Sequence, residues 1–308
     1  MRYFILVNPI SGRGYAEKVI PQIEAQLRGF GLDFVMAHTE RPWHAAELAE
    51  QAAKDGYDVV VTVSGDGTAN EALNGLMWAR ASGFENTALS ILPVGTGNDY
   101  AYGMGVRGDL EASCRALVED KRIKVDIGLV KGGDFPKGRY FGNGVGVGFD
   151  AAVGFEAVKI RWARGLLAYL IATLRTVFLY YKAPTVRITM DEQTITQPSL
   201  MVSIMNGQRM GGGFYMAPQG NPTDGWFDLC IAEEASQLRI FGLIPYFMKG
   251  TQAGQKEIKT ARARKVTVTA LEGTLPAHCD GETLCHAGQE LSVEIVPQAL
   301  EFVSMETI

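Results

Sequence analysis

The stretch Val59-Val60-Val61-Thr62-Val63-Ser64-Gly65-Asp66-Gly67-Thr68-Ala69-Asn70-Glu71 sets five β-branched residues against a turn in which two glycines flank an aspartate. Val and Thr lose little side-chain freedom on a pleated surface, so the run predicts a buried strand. Beyond the turn, Ala69, Leu73, Leu76 and Met77 recur at helical spacing. Strand, glycine turn and helix in immediate succession form the unit of a parallel α/β sheet.

The unit repeats on both sides. Arg2 to Val7, Asp33 to Ala37 and Leu89 to Leu92 read as further strands, and Val19, Ile20, Ile23 and Leu27, then Ala45, Leu48, Ala49 and Ala52, as helix faces that cover the sheet. Two more glycine turns stand where a strand hands over to a helix: Asn8-Pro9-Ile10-Ser11-Gly12-Arg13-Gly14 and Leu92-Pro93-Val94-Gly95-Thr96-Gly97-Asn98-Asp99. Glycine removes the Cβ that would keep a phosphate from backbone N–H groups, and in α/β sheets such turns gather at the carboxyl edge, where ligands bind. Ser11 and Arg13 add donors for an anion. Asp66 and Asp99 would repel phosphate unless a cation lay between, which points to Mg²⁺. For any one turn the plain alternative is a tight connection with an Asp cap. The G-x-x-x-x-G-K-[ST] pattern is absent, and the literal G-x-G-x-x-G at Gly103 to Gly108 follows a helix-like stretch instead of a strand, so it reads as chance.

After about Val125 the period changes. Short alternating runs at Arg139 to Val147, Thr185 to Met190, Leu200 to Met205, Trp226 to Ile231, Val266 to Ala270 and Leu291 to Val296 predict a β-rich second domain. One long helical stretch, Phe155 to Tyr181, and a shorter one, Leu238 to Met248, interrupt it. A chain of 308 residues suits two domains, with the boundary near residues 126 to 135.

Apolar residues make up 47% and charged residues 20% of the chain, an ordinary globular balance. Net charge is −5, with no run of five like charges, so a broad basic face for nucleic acid is unsupported. Four cysteines without a C-x-x-C fit a reducing, cytoplasmic setting. Tyr3 to Val7 is too short for a signal-peptide core, and Gly165 to Tyr181, with Arg175 inside it, falls short of a membrane span.

In its motifs the sequence resembles the diacylglycerol kinase catalytic-domain family, which includes bacterial YegS-like lipid kinases, sphingosine kinases and ceramide kinases. N-P-x-S-G matches Asn8 to Gly12, G-G-D-G-T is similar to Ser64 to Thr68, and P-x-G-T-x-N-D matches Pro93 to Asp99. Asn143 to Ala151 resembles the family's G-F-D-A region; Asn206-Gly207 with Gly211 to Gly213 resembles a later block; Asp280-Gly281-Glu282 matches its D-G-E. Ser64 stands where glycine is commoner, a single letter that leaves the substrate open.

The resemblance implies a fold of α/β plus β class: a nucleotide-binding domain at 1–130, similar to phosphofructokinases and NAD kinases, with about 298–308 returning to it, and a β-sandwich lipid-substrate domain at 131–297. It implies ATP, Mg²⁺ and a lipid with a free hydroxyl, diacylglycerol or a relative, as partners. Asn8, Pro9, Ser11, Gly12, Arg13, Thr39, Gly65, Asp66, Gly67, Thr68, Asn70, Glu71, Gly95, Thr96 and Asn98 would meet the nucleotide. Asp66, Asp99 and Asp126 match acidic positions of the Mg²⁺ and water network. Asp280 and Glu282 carry over as the base toward the hydroxyl, without a choice between them. The segment Asn221 to Asp228 resembles a loop holding a second, structural Mg²⁺, with the Asp224 carboxylate and the Asn221 and Trp226 carbonyls as its ligands; the plain reading is a D-G turn between strands.

The stretch Phe155 to Tyr181, apolar with Lys159, Arg161, Arg164 and Arg175 interspersed, either packs on the second domain or offers a peripheral membrane contact. His278, Cys279, Cys285 and His286 bracket the D-G-E, and a hairpin around Asp280-Gly281 explains their nearness without zinc. Two rival functions are a small-molecule kinase of the NAD kinase type and a non-catalytic lipid-binding regulator. An oligomer is compatible with all three.

Overall fold

The computed structural model describes residues 1–160, 163, 165–179 and 183–306. The chain divides into two compact units, one of Met1–Ile127 with Pro297–Ile308, the other of Gly128–Val296.

In the first unit, strands β1 (Arg2–Val7), β2 (Asp33–His38), β3 (Val59–Ser64) and β4 (Ala88–Pro93) alternate with helices α1 (Ser11–Gly29), α2 (His44–Lys54) and α3 (Asp66–Ala81). The strands are parallel in the order β4-β3-β1-β2. Every residue of β3 is buried, as a central strand covered on both faces requires, and each such Val contributes ~1.5–3 kcal/mol of burial. The core joins Ile5, Val61, Val63 and Leu92 to Ile23 and Leu27 of α1. Helices α2 and α3 pack so closely that a Cβ on Gly75 would strike the Ala46 carbonyl. Two shorter helices, α4 (Asp99–Gly103) and α5 (Leu110–Glu119), follow. Strand β5 (Arg122–Gly132) then carries the chain into the second unit.

The second unit is antiparallel and built from β6 (Phe135–Phe141), β7 (Gly144–Gly148), β8 (Thr185–Met190), β9 (Gln193–Met205), β10 (Phe227–Glu233), β11 (Ile258–Ala263), β12 (Lys265–Glu272), β13 (Leu275–Cys279), β14 (Glu282–Gly288) and β15 (Glu290–Val303). The first half of β9 pairs with β8, and its second half with β7 and β10, so one strand serves both layers of a sandwich. Val145, Val202 and Phe227 meet Ile188, Val268 and Val293 in the core between the layers. The end of β15 belongs to the first unit, where Phe302 pairs in parallel with Leu89.

Phe155 to Tyr181, expected as one long helix, is two: α6 (Phe149–Lys159) and α7 (Gly165–Leu179). The first begins six residues earlier than its apolar spacing suggests and ends at Ile160, whose backbone is extended. Arg161, Trp162, Arg164, Tyr180 and Tyr181 lie outside the described residues. Helix α8 (Gln237–Lys249) stands as expected. Among the described residues no helix is long and apolar enough to cross a membrane.

Candidate active site

Three glycine turns of the first unit are joined by direct contacts. Asn8 Nδ2 donates to Thr68 Oγ1 at 2.7 Å, tying the first turn to the second, while Asn8 Oδ1 accepts from the Ile10 N–H at 3.2 Å. Gly12, Arg13 and Gly14 all sit at positive φ (60°, 60° and 83°), so the loop turns over before regular helix begins. A Cβ on Gly12 would run into the Val94 carbonyl, and one on Gly95 into the Gly65 Cα. Only glycine allows these backbones to touch. The result is a glycine cradle in which N–H groups from three strand ends can converge on an anion.

Asp66 lies at the start of α3, and its carboxylate accepts the N–H groups of Asp99 (3.2 Å) and Tyr100 (3.0 Å), the first residues of α4. A charged acceptor at orphan helix N–H groups is the usual cap arrangement. Asp99 is buried and Asn98 holds a left-handed backbone (φ 54°), its Nδ2 donating to the Gly95 carbonyl at 3.1 Å. Thr39 follows β2, with its N–H on the Val7 carbonyl at 2.9 Å. Glu71 accepts from the Ala45 N–H at 3.3 Å, and Asn70 is fully buried, its carbonyl accepting from Asn74 Nδ2 at 2.8 Å. Asp126 is fully buried on β5 and accepts the Gln298 N–H at 2.7 Å. Tyr100 and Gln298, donors to these carboxylates, carry no sequence signal because they act through their backbones.

In the second unit, Asp280 and Gly281 form the two-residue turn of the β13–β14 hairpin, both at positive φ (47° and 83°), with Cys279 opposite Glu282. Asp280 is only 4% exposed. Its carboxylate accepts three backbone N–H groups: Gly142 (2.9 Å), Asn143 (3.0 Å) and Gly144 (2.9 Å). Glu282, two residues on, is exposed. A cavity of about 740 Å³ opens beside this hairpin, lined by Phe149, Ala152, Phe155, Leu200 and Pro276 and by Thr283, the neighbour of Glu282.

Cys279 and Cys285 are buried thiols whose pKa is pushed up by burial, and His286 packs on Phe155 with ring centroids 4.5 Å apart. Among the described residues no three His, Cys, Asp or Glu side chains cluster to hold a metal ion. At the expected structural-ion loop, Asp224 pairs with Arg262 and accepts the Trp226 N–H at 3.1 Å, while Asn221 Oδ1 accepts from the N–H and hydroxyl of Thr223 at 2.9 and 2.7 Å. Arg262 Nε also lies 3.4 Å from Asp228. The cation beside the Asp224 carboxylate in this structure is therefore a guanidinium.

Residues 2–130 match the family model of the diacylglycerol kinase catalytic domain, and residues 143–304 match that of the YegS C-terminal NAD kinase beta sandwich-like domain. A diacylglycerol kinase of Mycobacterium tuberculosis is 29% identical over 297 residues, which cover 96% of this chain and 93% of the relative. One from Staphylococcus haemolyticus is 26% identical over 90% of this chain and 81% of its own. In fold, a solved diacylglycerol kinase of Bacillus anthracis superposes with a TM-score of 0.73 at 19% identity, covering 98% of this chain and 96% of that one. A second structure from the same organism reaches 0.78 at 23%, covering 98% and 96%. With both units accounted for by these models, the chain belongs to the diacylglycerol kinase catalytic-domain family, with a YegS-type sandwich as its second unit, and is a kinase acting on a hydroxyl group.

Proposed function

We propose that the chain is an ATP- and Mg²⁺-dependent lipid kinase that phosphorylates diacylglycerol or a closely related lipid alcohol. The observation that carries this reading is the cavity of about 740 Å³ beside the D-G-E hairpin, whose apolar wall of Phe149, Ala152, Phe155, Leu200 and Pro276 offers a place for acyl chains. The relatives named diacylglycerol kinase support the same substrate class.

The glycine cradle suits the nucleotide phosphates, because glycines at its contacts let the backbones of the three turns come together as an N–H anion site requires. Its donor set fits Mg²⁺ as well: Asp66 and Asp99 are oxygen donors beside the cradle, and the nucleotide would complete the coordination. When bound, the ion neutralises charge on the transferring phosphoryl group. Asp66 and Asp99 would hold it, directly or through water.

Glu282 takes the proton from the lipid hydroxyl. Asp280 is committed to three backbone donors and shielded from solvent, whereas Glu282, the second carboxylate of the motif, is accessible to a substrate. A carboxylate base within reach of the hydroxyl is worth ~10²–10⁴-fold. Asp280 then fixes the turn that presents it. Lipid presented at a membrane would make the protein a peripheral, cytoplasmic-face enzyme.

The test is phosphate transfer from ATP, with and without Mg²⁺, to diacylglycerol, sphingosine, phosphatidylglycerol and NAD. Transfer to diacylglycerol only with Mg²⁺, and its loss in Glu282→Gln, is the expected result. Transfer to NAD alone would overturn the lipid assignment.

A further inference from the structure

We propose that Asn206 is a positioning residue for the Asp280-Gly281-Glu282 turn, acting through the Gly142–Asn143 peptide; this rests on the reading of that turn as the one that receives the lipid hydroxyl. Asp280 obtains two of its three N–H donors from Gly142 and Asn143, a two-residue link outside both β6 and β7, and the third from Gly144, the first residue of β7, which pairs with Met205. That link is gripped from behind. Asn206 Nδ2 donates to the Gly142 carbonyl at 2.8 Å, and the N–H groups of Asn206 and Gly207 both donate to the Asn143 carbonyl at 2.8 Å.

The peptide between Gly142 and Asn143 is thus held at both ends. Its carbonyl is fixed by the Asn206 amide, and its N–H is aimed at Asp280. Planarity of the peptide couples the two, because turning the carbonyl turns the N–H with it. Asn206 is fully buried, so its amide has no water to fall back on. Gly207 is part of the same device, since a Cβ there would strike Asn143 Oδ1. Asn143 Nδ2 closes the frame on the Arg209 carbonyl at 2.9 Å. The Asn206-Gly207 motif is therefore the outer wall of the Asp280 cradle.

The experiment compares wild type, Asn206→Ala, Asn206→Asp, Asp280→Asn and the double variant Asn206→Ala/Asp280→Asn in steady-state lipid phosphorylation, with Mg·ATP binding measured by calorimetry. Asn206→Ala is expected to lower kcat ~10-fold or more with the ATP KM and binding constant changed less than ~2-fold, and to add less than ~2-fold in the Asp280→Asn background. Asn206→Asp keeps the shape but loses the donor. Protonation of its buried carboxyl restores that donor, so its kcat relative to wild type should rise as pH falls from about 8 to 6. Should Asn206→Ala not fold, this pH-dependent ratio decides alone. A fully additive double variant, a wild-type kcat in Asn206→Ala, or a flat ratio in Asn206→Asp overturns the role of Asn206 while leaving the turn's role intact. Wild-type turnover in both Asp280→Asn and Glu282→Gln would instead remove the reading of the turn, and this inference with it.

Discussion

The carboxylate of Asp66 accepts the backbone N–H of Tyr100 at 3.0 Å, so the acidic residue of the second glycine turn is also the cap of the helix that follows the third. One side chain thereby ties two glycine turns together, and the proposed function makes the same carboxylate a holder of Mg²⁺. Asp66→Asn should cut turnover ~10²-fold or more, because the amide halves the acceptor capacity and removes the charge. It should also cost ~1 kcal/mol of stability as a lost cap. Chemical denaturation and lipid phosphorylation measured on one preparation separate the two effects; an unaltered kcat would remove Asp66 from the ion site.

The contact between Gly95 and Gly65 makes a sharper prediction about the cradle. A methyl at Gly95 meets the Gly65 Cα and lies 2.7 Å from Asn98 Oδ1, so Gly95→Ala must pry the turns apart. Mg·ATP affinity should fall ~10-fold or more, since a cradle of N–H donors works only when they are preorganised. Gly14→Ala is the control. Its Cβ meets nothing within 4 Å but its φ is 83°, so it should cost ~1 kcal/mol of stability and leave affinity nearly intact. Calorimetry that found the two variants equal would contradict the packed-turn arrangement.

These turns were legible because each lies within eight consecutive residues and each glycine has a local reason. The strands β1, β3 and β4 were legible for the same cause: buried parallel strands read as unbroken apolar runs. Long-range partners were not. Asp280 meets Gly142 across 138 positions and Asp224 meets Arg262 across 38, and nothing in either segment announces the other. The break at Ile160 was hidden because apolar spacing continues through it, while tertiary packing of Ala157, Ile160 and Ala163 against Ala168 and Ala172 decides where the helix stops. Only the second half of β9 shows in the sequence for a related reason, since Gln193 to Pro198 pairs along one layer in an exposed, polar sequence that carries little apolar alternation.

The guanidinium beside Asp224 gives the turn at 221–228 its own counter-charge. Arg262 reaches both Asp224 and Asp228, and Arg264 stacks on Trp226 with 4.4 Å between its guanidinium carbon and the ring centroid. Without Arg262 the two carboxylates would face each other uncompensated, and a hard cation would be the natural replacement. Wild-type Tm should therefore be insensitive to Ca²⁺ or Mg²⁺ against a chelator, and Arg262→Ala should become cation-sensitive. Differential scanning calorimetry is the check. A wild-type Tm that rises with Ca²⁺, and no longer does so in Asp224→Ala, would mean that an ion displaces the arginine.

A buried pair behind the D-G-E hairpin makes stability respond to pH in two opposing ways. Asp150 accepts the Ser203 hydroxyl at 2.9 Å and the Ala151 N–H at 2.8 Å, and a Cβ on Gly146 would strike both its Oδ2 and His278 Nε2. Burial pushes Asp150 up from 3.8 to about 7 and pushes His278 down from 6.5 to about 4. His278 is neutral in the fold while the unfolded chain takes up a proton below pH 6.5, so its contribution is present above 6.5 and ~3 kcal/mol is lost on acidification to about pH 4. Asp150 has the reverse sign: protonated more readily in the fold, it adds up to ~4 kcal/mol as pH falls from about 7 to 3.8. The two largely offset each other in the wild type. Asp150→Asn should therefore lose stability steeply between about pH 6.5 and 4, and His278→Gln should gain it, each read as a change in the denaturant midpoint. Parallel midpoint curves for the two variants would show that these residues do not titrate as a buried, opposed pair.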